Sequence, residues 1–200
     1  MSTGVAYVVY IMLAYRVAGS RGLTKDDFVK ELNTSERYWI YWTTWLPTIY
    51  PTIYTKCFQY KLTNYSSPPL VLRQRYEAAI DDDGRKNALD RCHWSVDFNT
   101  TKEDNLSMNM TRLWDRKYIF YTVAYWNETE KCFVQTFTAN NMTQCELNVW
   151  DNLPTGNETN VSSCEEKFNK TCERGPHYRY YKENCRKPSL KASSNDDDIS

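Results

Sequence analysis

The stretch YIFYTVAYWNETEKCFVQTFTANNMTQCELNVW, residues 118–150, decides the fold class. It contains three runs rich in Tyr, Trp, Phe, Thr and Val, at 118–126, 131–137 and 144–150, with short polar segments between them. These residue types favour strands, and breaks such as Asn127-Glu-Thr-Glu130 have typical turn chemistry. Because no helix-length segment lies between the runs, they predict neighbouring antiparallel strands.

The same pattern extends toward the N-terminus, where five further runs read as strands, at 38–45, 55–63, 70–79, 89–98 and 107–113. Eight consecutive strands with short polar connections predict an all-β antiparallel meander, and closing it into a barrel removes the exposed edges. Such a barrel has room inside for side chains and one small ligand. The acidic run 81–83 lacks the spaced oxygen donors of a calcium loop and indicates a solvated turn.

Two helices are expected outside the strands. The first covers residues 25–32, with Thr24 as N-cap and acidic residues in its first turn. The second contains Cys164, Phe168 and Cys172, whose four-residue spacing places all three on one helical face. We expect that face to contact the barrel wall.

The N-terminal residues indicate secretion. Residues 5–15 (VAYVVYIMLAY) have the length of a secretory h-region, are too short to span a bilayer, and precede small residues at 17–20. The alternative is a buried N-terminal helix. We predict a signal peptide at 1–20, one domain at 21–186 and a disordered polar tail at 187–200.

Ten Asn-x-Ser/Thr triplets support passage through the glycosylating pathway and predict a secreted glycoprotein. Each occupied asparagine must face solvent, so a solvent-facing Asn109 would direct Met108 and Met110 inward. The predicted glycosylation sites are Asn33, Asn64, Asn99, Asn105, Asn109, Asn127, Asn141, Asn157, Asn160 and Asn169.

Seven cysteines in an oxidising compartment predict a disulfide framework. Spacing alone leaves open which residue is the odd one and which of 15 pairings joins the other six. The sequence has no Cys-x-x-Cys and only two histidines, so no metal site is expected. Cys92 and His93 could be imagined as a thiol and its base, but adjacent strand residues point to opposite faces.

Charge and motif content exclude several functions. The chain has 25 basic and 25 acidic residues and no basic run, which argues against nucleic-acid or anionic-membrane partners. It has no Gly-x-Ser-x-Gly, no paired histidines and no phosphate loop, so neither an enzyme nor a cofactor is expected.

Four segments carry a family resemblance: 132–137 (CFVQTF), 144–151 (QCELNVWD), 164–172 (CEEKFNKTC) and 178–185 (YRYYKENC). They resemble the C-terminal half of the tick salivary lipocalins, the histamine-binding-protein family. Upstream, 37–45 (RYWIYWTTW) and Cys57 are similar to that family's first strand and first cysteine, so the resemblance covers about residues 25–185.

The resemblance implies an eight-stranded antiparallel up-and-down lipocalin barrel, with a short N-terminal helix and a C-terminal helix tied to the barrel by disulfides. It implies the pairs Cys57–Cys185, Cys132–Cys164 and Cys145–Cys172. Cys92 then keeps its thiol or is available for intermolecular pairing.

The resemblance also implies a function: a secreted, monomeric lipocalin that sequesters a small host mediator and thereby suppresses host defence. A biogenic amine, histamine or serotonin, is the expected ligand, because an aromatic cup with a buried carboxylate suits an ammonium group. Glu146 matches the family's amine-contacting glutamate. The other candidate ligand-binding residues are Trp45, Tyr41, Tyr121, Phe133, Asn148 and Trp150.

Two positions depart from the family pattern, because Thr48 and Phe133 stand where it has aspartates. The loss of two acids favours more apolar ligands. A fatty-acid mediator such as a leukotriene, bound through an inward Arg73, Arg75 or Arg91, therefore stays open, as does a complement-type, protein-binding inhibitor. Glu146 could instead make a structural hydrogen bond, and the aromatic candidates could be plain core.

Overall fold

The computed structural model describes residues 24–33, 36–46, 53–64, 69–80, 88–100, 105–151, 161–173, 175–182 and 185. The predicted signal peptide, the predicted tail, the acidic run 81–83 and Thr48 lie outside the described residues. The elements are α1 (Lys25–Leu32), β1 (Tyr38–Thr43), β2 (Ile53–Asn64), β3 (Leu70–Ile80), β4 (Ala88–Thr100), β5 (Leu106–Arg112), β6 (Tyr118–Asn127), β7 (Cys132–Ala139), β8 (Met142–Trp150), α2 (Ser162–Thr171) and β9 (Tyr178–Arg179).

Strands β1–β8 form a closed antiparallel barrel, which confirms the predicted fold class. Each strand pairs with the next, and β1 pairs with both β8 and β2, so that Tyr38 lies opposite Trp150 on one side and Tyr60 on the other. The short β9 joins the far part of β1. None of the described helices is long and apolar enough to cross a membrane.

The inner core follows from the two-residue period of the strands. Leu72, Trp94 and Met110 lie on successive strands and are buried together inside the barrel. At one end of the barrel, Phe28 of α1 packs into this core. Its ring centroid lies 5.1 Å from that of Phe133 and 6.2 Å from that of Trp150. The first helix thereby closes that end of the barrel with an aromatic cluster.

A second core lies outside the barrel, between its wall and the C-terminal segments. Cys164 and Phe168 of α2 are buried there, as their spacing predicts. The three expected disulfides are present, Cys57–Cys185, Cys132–Cys164 and Cys145–Cys172. They span 128, 32 and 27 residues. Loops of this size contribute about 3–5 kcal/mol each in the chain-entropy model.

The sequon asparagines that the structure describes face outward to different degrees. Asn109 is half-buried on the outer face, and Met108 and Met110 beside it are buried in the inner core, as expected. Asn127 differs, because its amide nitrogen donates to Ser163 and its oxygen accepts from the Glu130 backbone. The exposed ones are Asn33, Asn99, Asn141 and Asn169; Asn105 is half-buried; the side chains of Asn64, Asn157 and Asn160 lie outside the described residues.

Candidate ligand-binding site

Strands β7 and β8 supply a polar group in the middle of the aromatic interior. Gln135 and Glu146 lie opposite each other in the β7–β8 register, and both side chains are buried. Gln135 Nε2 donates a hydrogen bond of 2.7 Å to Glu146 Oε2. Cys145 and Leu147, the neighbours of Glu146, belong to the outer core, so the carboxylate faces inward by the two-residue period.

The Glu146 carboxyl is the dominant electrostatic feature of this interior. Burial raises its pKa from 4.5 to about 7, and the hydrogen bond from Gln135 offsets only part of that effect. Among the described residues, Gln135 is its only hydrogen-bond donor and no Lys, Arg or His forms an ion pair with it. Within the described part of the chain, this buried carboxyl therefore has a hydrogen-bond donor but no cationic partner.

Four buried tyrosines experience the charge of this carboxyl. Burial raises the pKa of Tyr38, Tyr60 and Tyr121 well above the usual value, and the negative charge of Glu146 raises each further. Burial also raises the pKa of Tyr180, again with a contribution from Glu146. All four hydroxyls therefore stay neutral. The four tyrosines contribute their aromatic rings and hydroxyl groups to the interior.

The opposite wall carries a second polar cluster. Gln74 donates to the Tyr60 hydroxyl and accepts hydrogen bonds from Cys92 Sγ at 2.7 Å and Trp94 Nε1 at 3.1 Å. Cys92 is thus outside the disulfide set and buried inside the barrel. In the folded protein that position prevents the intermolecular pairing that the sequence left open.

Three buried polar atoms on β7 and β8, the strands that carry Gln135 and Glu146, have no hydrogen-bond partner. They are Gln135 Oε1 and both amide atoms of Asn148, whose side chain is wholly buried. Leaving a buried polar group unsatisfied costs about 1–3 kcal/mol. Beside Glu146, the interior therefore holds two acceptors and one donor without hydrogen bonds.

A cleft of about 1100 Å³ opens at the other end of the barrel, away from α1. Trp45 and Phe137 meet there edge to face, with centroids 5.8 Å apart. Arg112 lies in the lining, stacked 4.5 Å from the Trp114 ring centroid and ion-paired with Asp115. This pairing lowers the pKa of Asp115 to about 2.

The predicted ligand residues are distributed over three places. Glu146, Asn148 and Tyr121 lie in the middle of the interior, and Trp45 lies at the mouth. Phe133 and Trp150 pack around Phe28 at the closed end. Their contact with a ligand stays a prediction.

Tyr41 was predicted to line the interior, and this is corrected. Its ring lies in the outer core, 5.5 Å from Tyr181 and beneath the Arg179 guanidinium. The strand alternates, so the inward positions of β1 are Tyr38 and Ile40.

Sequence reasoning missed Gln135, Gln74 and Tyr60. The two-residue period from Phe133 would have found Gln135, because it lies between two inward phenylalanines on β7. Gln74 and Tyr60 are at inward positions of β3 and β2, but the sequence does not indicate that these strands face Glu146.

The described residues offer one candidate cluster of metal ligands, Glu130 with Cys132 and Cys164. The two cysteines form a disulfide, so their sulfurs are not available to a metal.

A closed eight-stranded antiparallel barrel with a helix at one end and a polar group inside is the lipocalin fold. The chain is similar to the solved structure of Japanin from Rhipicephalus appendiculatus bound to cholesterol, with a TM-score of 0.51 and 8% identity over 74% of this chain and 95% of that one. At this identity the likeness shows the fold.

Two further structures are similar. Lobster apocrustacyanin A1 has a TM-score of 0.48 and 11% identity, covering 76% of this chain and 78% of its own. Apocrustacyanin C2 has a TM-score of 0.46 and 12% identity, covering 73% and 76%. No protein-family model and no curated protein matches the sequence.

Proposed function

We propose that this protein is a secreted lipocalin of the histamine-binding type, which captures a biogenic amine in its barrel and so suppresses host defence. It performs no chemistry on the ligand. The observation that carries the proposal is the buried Glu146 carboxyl, hydrogen-bonded by Gln135 and lacking a cationic partner among the described residues.

An ammonium ligand supplies the positive partner that the Glu146 carboxyl lacks. Burying an unpaired carboxylate is unfavourable, and a cation in contact with it restores its ionised form. The rings of Tyr38, Tyr60 and Tyr121 can contribute cation–π attraction in the same interior. Arg73, one of the three arginines that could hold a fatty-acid head group from inside the barrel, lies opposite the outward Lys61, so it does not pair with the Glu146 carboxyl.

Calorimetry tests this proposal with histamine and serotonin titrated into the disulfide-intact protein. Glu146→Gln should weaken amine binding about 10–150-fold, the loss expected for a charged hydrogen bond worth about 1.5–3 kcal/mol. Glu77→Gln is the matched control, because Glu77 is also buried but faces outward to Lys56 at 3.5 Å. Absence of heat with both amines at about 100 μM, a concentration that detects micromolar affinity, would overturn the proposal.

A fatty-acid mediator such as a leukotriene is the second candidate ligand, and the position of Arg112 is the observation that favours it. Arg112 lies opposite the inward Trp94 and lines the mouth cleft, where a carboxylate could replace Asp115 as its partner. Under this alternative Arg112→Gln abolishes leukotriene binding while Glu146→Gln leaves it intact. Amine binding that is weakened in Glu146→Gln and kept in Arg112→Gln supports the amine instead.

Secretion is part of the proposal and has its own support and test. Three disulfides fit an oxidising compartment. Expression in insect cells should yield a glycosylated protein in the medium whose N-terminus follows residue 20. A protein retained in the cell with residues 1–20 attached would contradict this part.

A further inference from the structure

Several basic side chains lie on the outward face of β2, β3 and β4. Opposite Lys61 of β2 lies Arg73 of β3, and opposite Arg73 lies His93 of β4. In the next row Arg75 of β3 lies opposite Gln59 of β2. The alternate residues Leu62, Leu72 and Trp94 are buried inside the barrel, so both rows face outward.

Arg37 extends this charge from the start of β1. Its guanidinium donates to Gln59 at 2.9 Å and pairs with Asp151 at 3.2 Å. A small pocket of about 140 Å³ lies among Glu36, Arg37, Gln59, Lys61, Arg73 and Arg75. Four cations and one carboxylate line it.

This arrangement is unfavourable by itself. Like charges directly opposite each other on neighbouring strands are destabilising. Among the described residues, the side chains of Lys61 and Arg73 take part in no hydrogen bond or ion pair. The chain as a whole has equal numbers of basic and acidic residues, so the excess is local to this face. An anion bound there would relieve the repulsion.

We propose that this cationic face, formed by Arg37, Lys61, Arg73 and Arg75, binds a sulfated polysaccharide. The pocket of about 140 Å³ among these side chains is the place for one oxyanion group. The outward rows are spaced about 5 Å across the strands and about 7 Å along them, so a linear chain with repeated sulfates can contact several cations.

The surroundings of the cationic face favour a glycan over a lipid surface. Membrane-surface binding combines cations with inserted apolar side chains. The exposed Trp114, Tyr118 and Phe120 line the mouth cleft instead, and none of the residues lining the small pocket is apolar. A polyanion that needs only charge and hydrogen bonds fits this face.

Chromatography of the secreted full chain on immobilised heparin tests the proposal. Wild type should be retained at physiological salt, and the Lys61→Gln/Arg73→Gln double variant should elute at much lower salt. The slope of log affinity against log salt should fall by about two, because each phosphate-like contact contributes about one unit in the counterion-release relation for nucleic acids. The matched control is Arg116→Gln/Lys117→Gln, which removes two exposed cations from the β5–β6 turn.

A thermal readout distinguishes charge loss from misfolding. Heparin should raise the Tm of wild type and of the control, and should raise the Tm of the double variant by a clearly smaller amount. Without heparin the double variant should melt no lower than wild type, because a repulsive pair is gone. The single variants Lys61→Gln and Arg73→Gln should each show an intermediate loss.

Three outcomes would overturn the proposal: wild type passing through heparin at low salt, an equal loss in the control, or tighter binding to anionic vesicles or duplex DNA than to heparin. Amine calorimetry on the double variant keeps this result separate from the proposed function, since the cationic face lies outside the barrel.

Discussion

Replacing Glu146 by Gln should stabilise the protein at neutral pH and leave its stability nearly unchanged in acid. The carboxyl has a pKa of about 7 in the folded chain against an ordinary 4.5. A shift of this size corresponds to about 3 kcal/mol at about 1.4 kcal/mol per unit. This is the free energy that the folded state loses when the buried group ionises without a cation.

The sign follows from proton binding. Between about pH 4.5 and pH 7 the folded protein holds a proton on Glu146 that the unfolded chain has released. The unfolding free energy therefore falls as pH rises through this window. Glu146→Gln has no such proton, so its advantage over wild type should grow by about 3 kcal/mol between about pH 4 and pH 8.

Urea denaturation of both proteins across this pH range measures the difference. The variant Glu77→Gln is the control, because it also removes one buried carboxylate, but one that contacts Lys56. A difference between Glu146→Gln and wild type that is constant with pH, or one that shrinks as pH rises, would refute the assignment of a buried, uncompensated carboxyl.

Three other outcomes are expected. Amine affinity should rise about tenfold per pH unit below pH 7 and level off above it, since the ligand binds the ionised Glu146. Calorimetry at several pH values checks this, and an affinity that does not change with pH would exclude Glu146 as the counterion. Asn148→Leu should raise the unfolding free energy by about 1–3 kcal/mol in urea titrations, because it removes two buried polar atoms that have no hydrogen-bond partner. The same variant should weaken amine binding, and unchanged binding would place the ligand elsewhere. Phe28→Ala should lower the unfolding free energy by about 3–5 kcal/mol, because it empties the closed end of the barrel; a small loss would show that α1 contributes little.

The strands were predictable because their pattern is local. Alternating aromatic and β-branched runs with polar turns place eight strands in order, and the observed strands overlap every predicted run. The strand ends differ from the predicted ones where long-range contacts decide them. Strand β1 ends at Thr43, its last residue in register with β8, and Trp45 lies at the mouth of the barrel.

Tyr41 shows why residue type could not assign every position. The run 38–42 is aromatic on both faces, because its outer face is covered by the C-terminal segment that contains Tyr181. When both faces of a strand are buried, hydrophobic alternation no longer distinguishes inside from outside. Glu146 was easier to place, since it stands between outward-facing Cys145 and Leu147.

By itself, the sequence determined the strand order, the cysteine-bearing face of α2 and the presence of one acid on a strand with an aromatic interior. Those features depend on neighbours a few residues apart. The tertiary structure alone decided that Glu146 has no cationic partner among the described residues and that Lys61, Arg73 and Arg37 share one face. Both results depend on which distant strands pair and in what register, and hence on burial and charge proximity that local spacing does not encode.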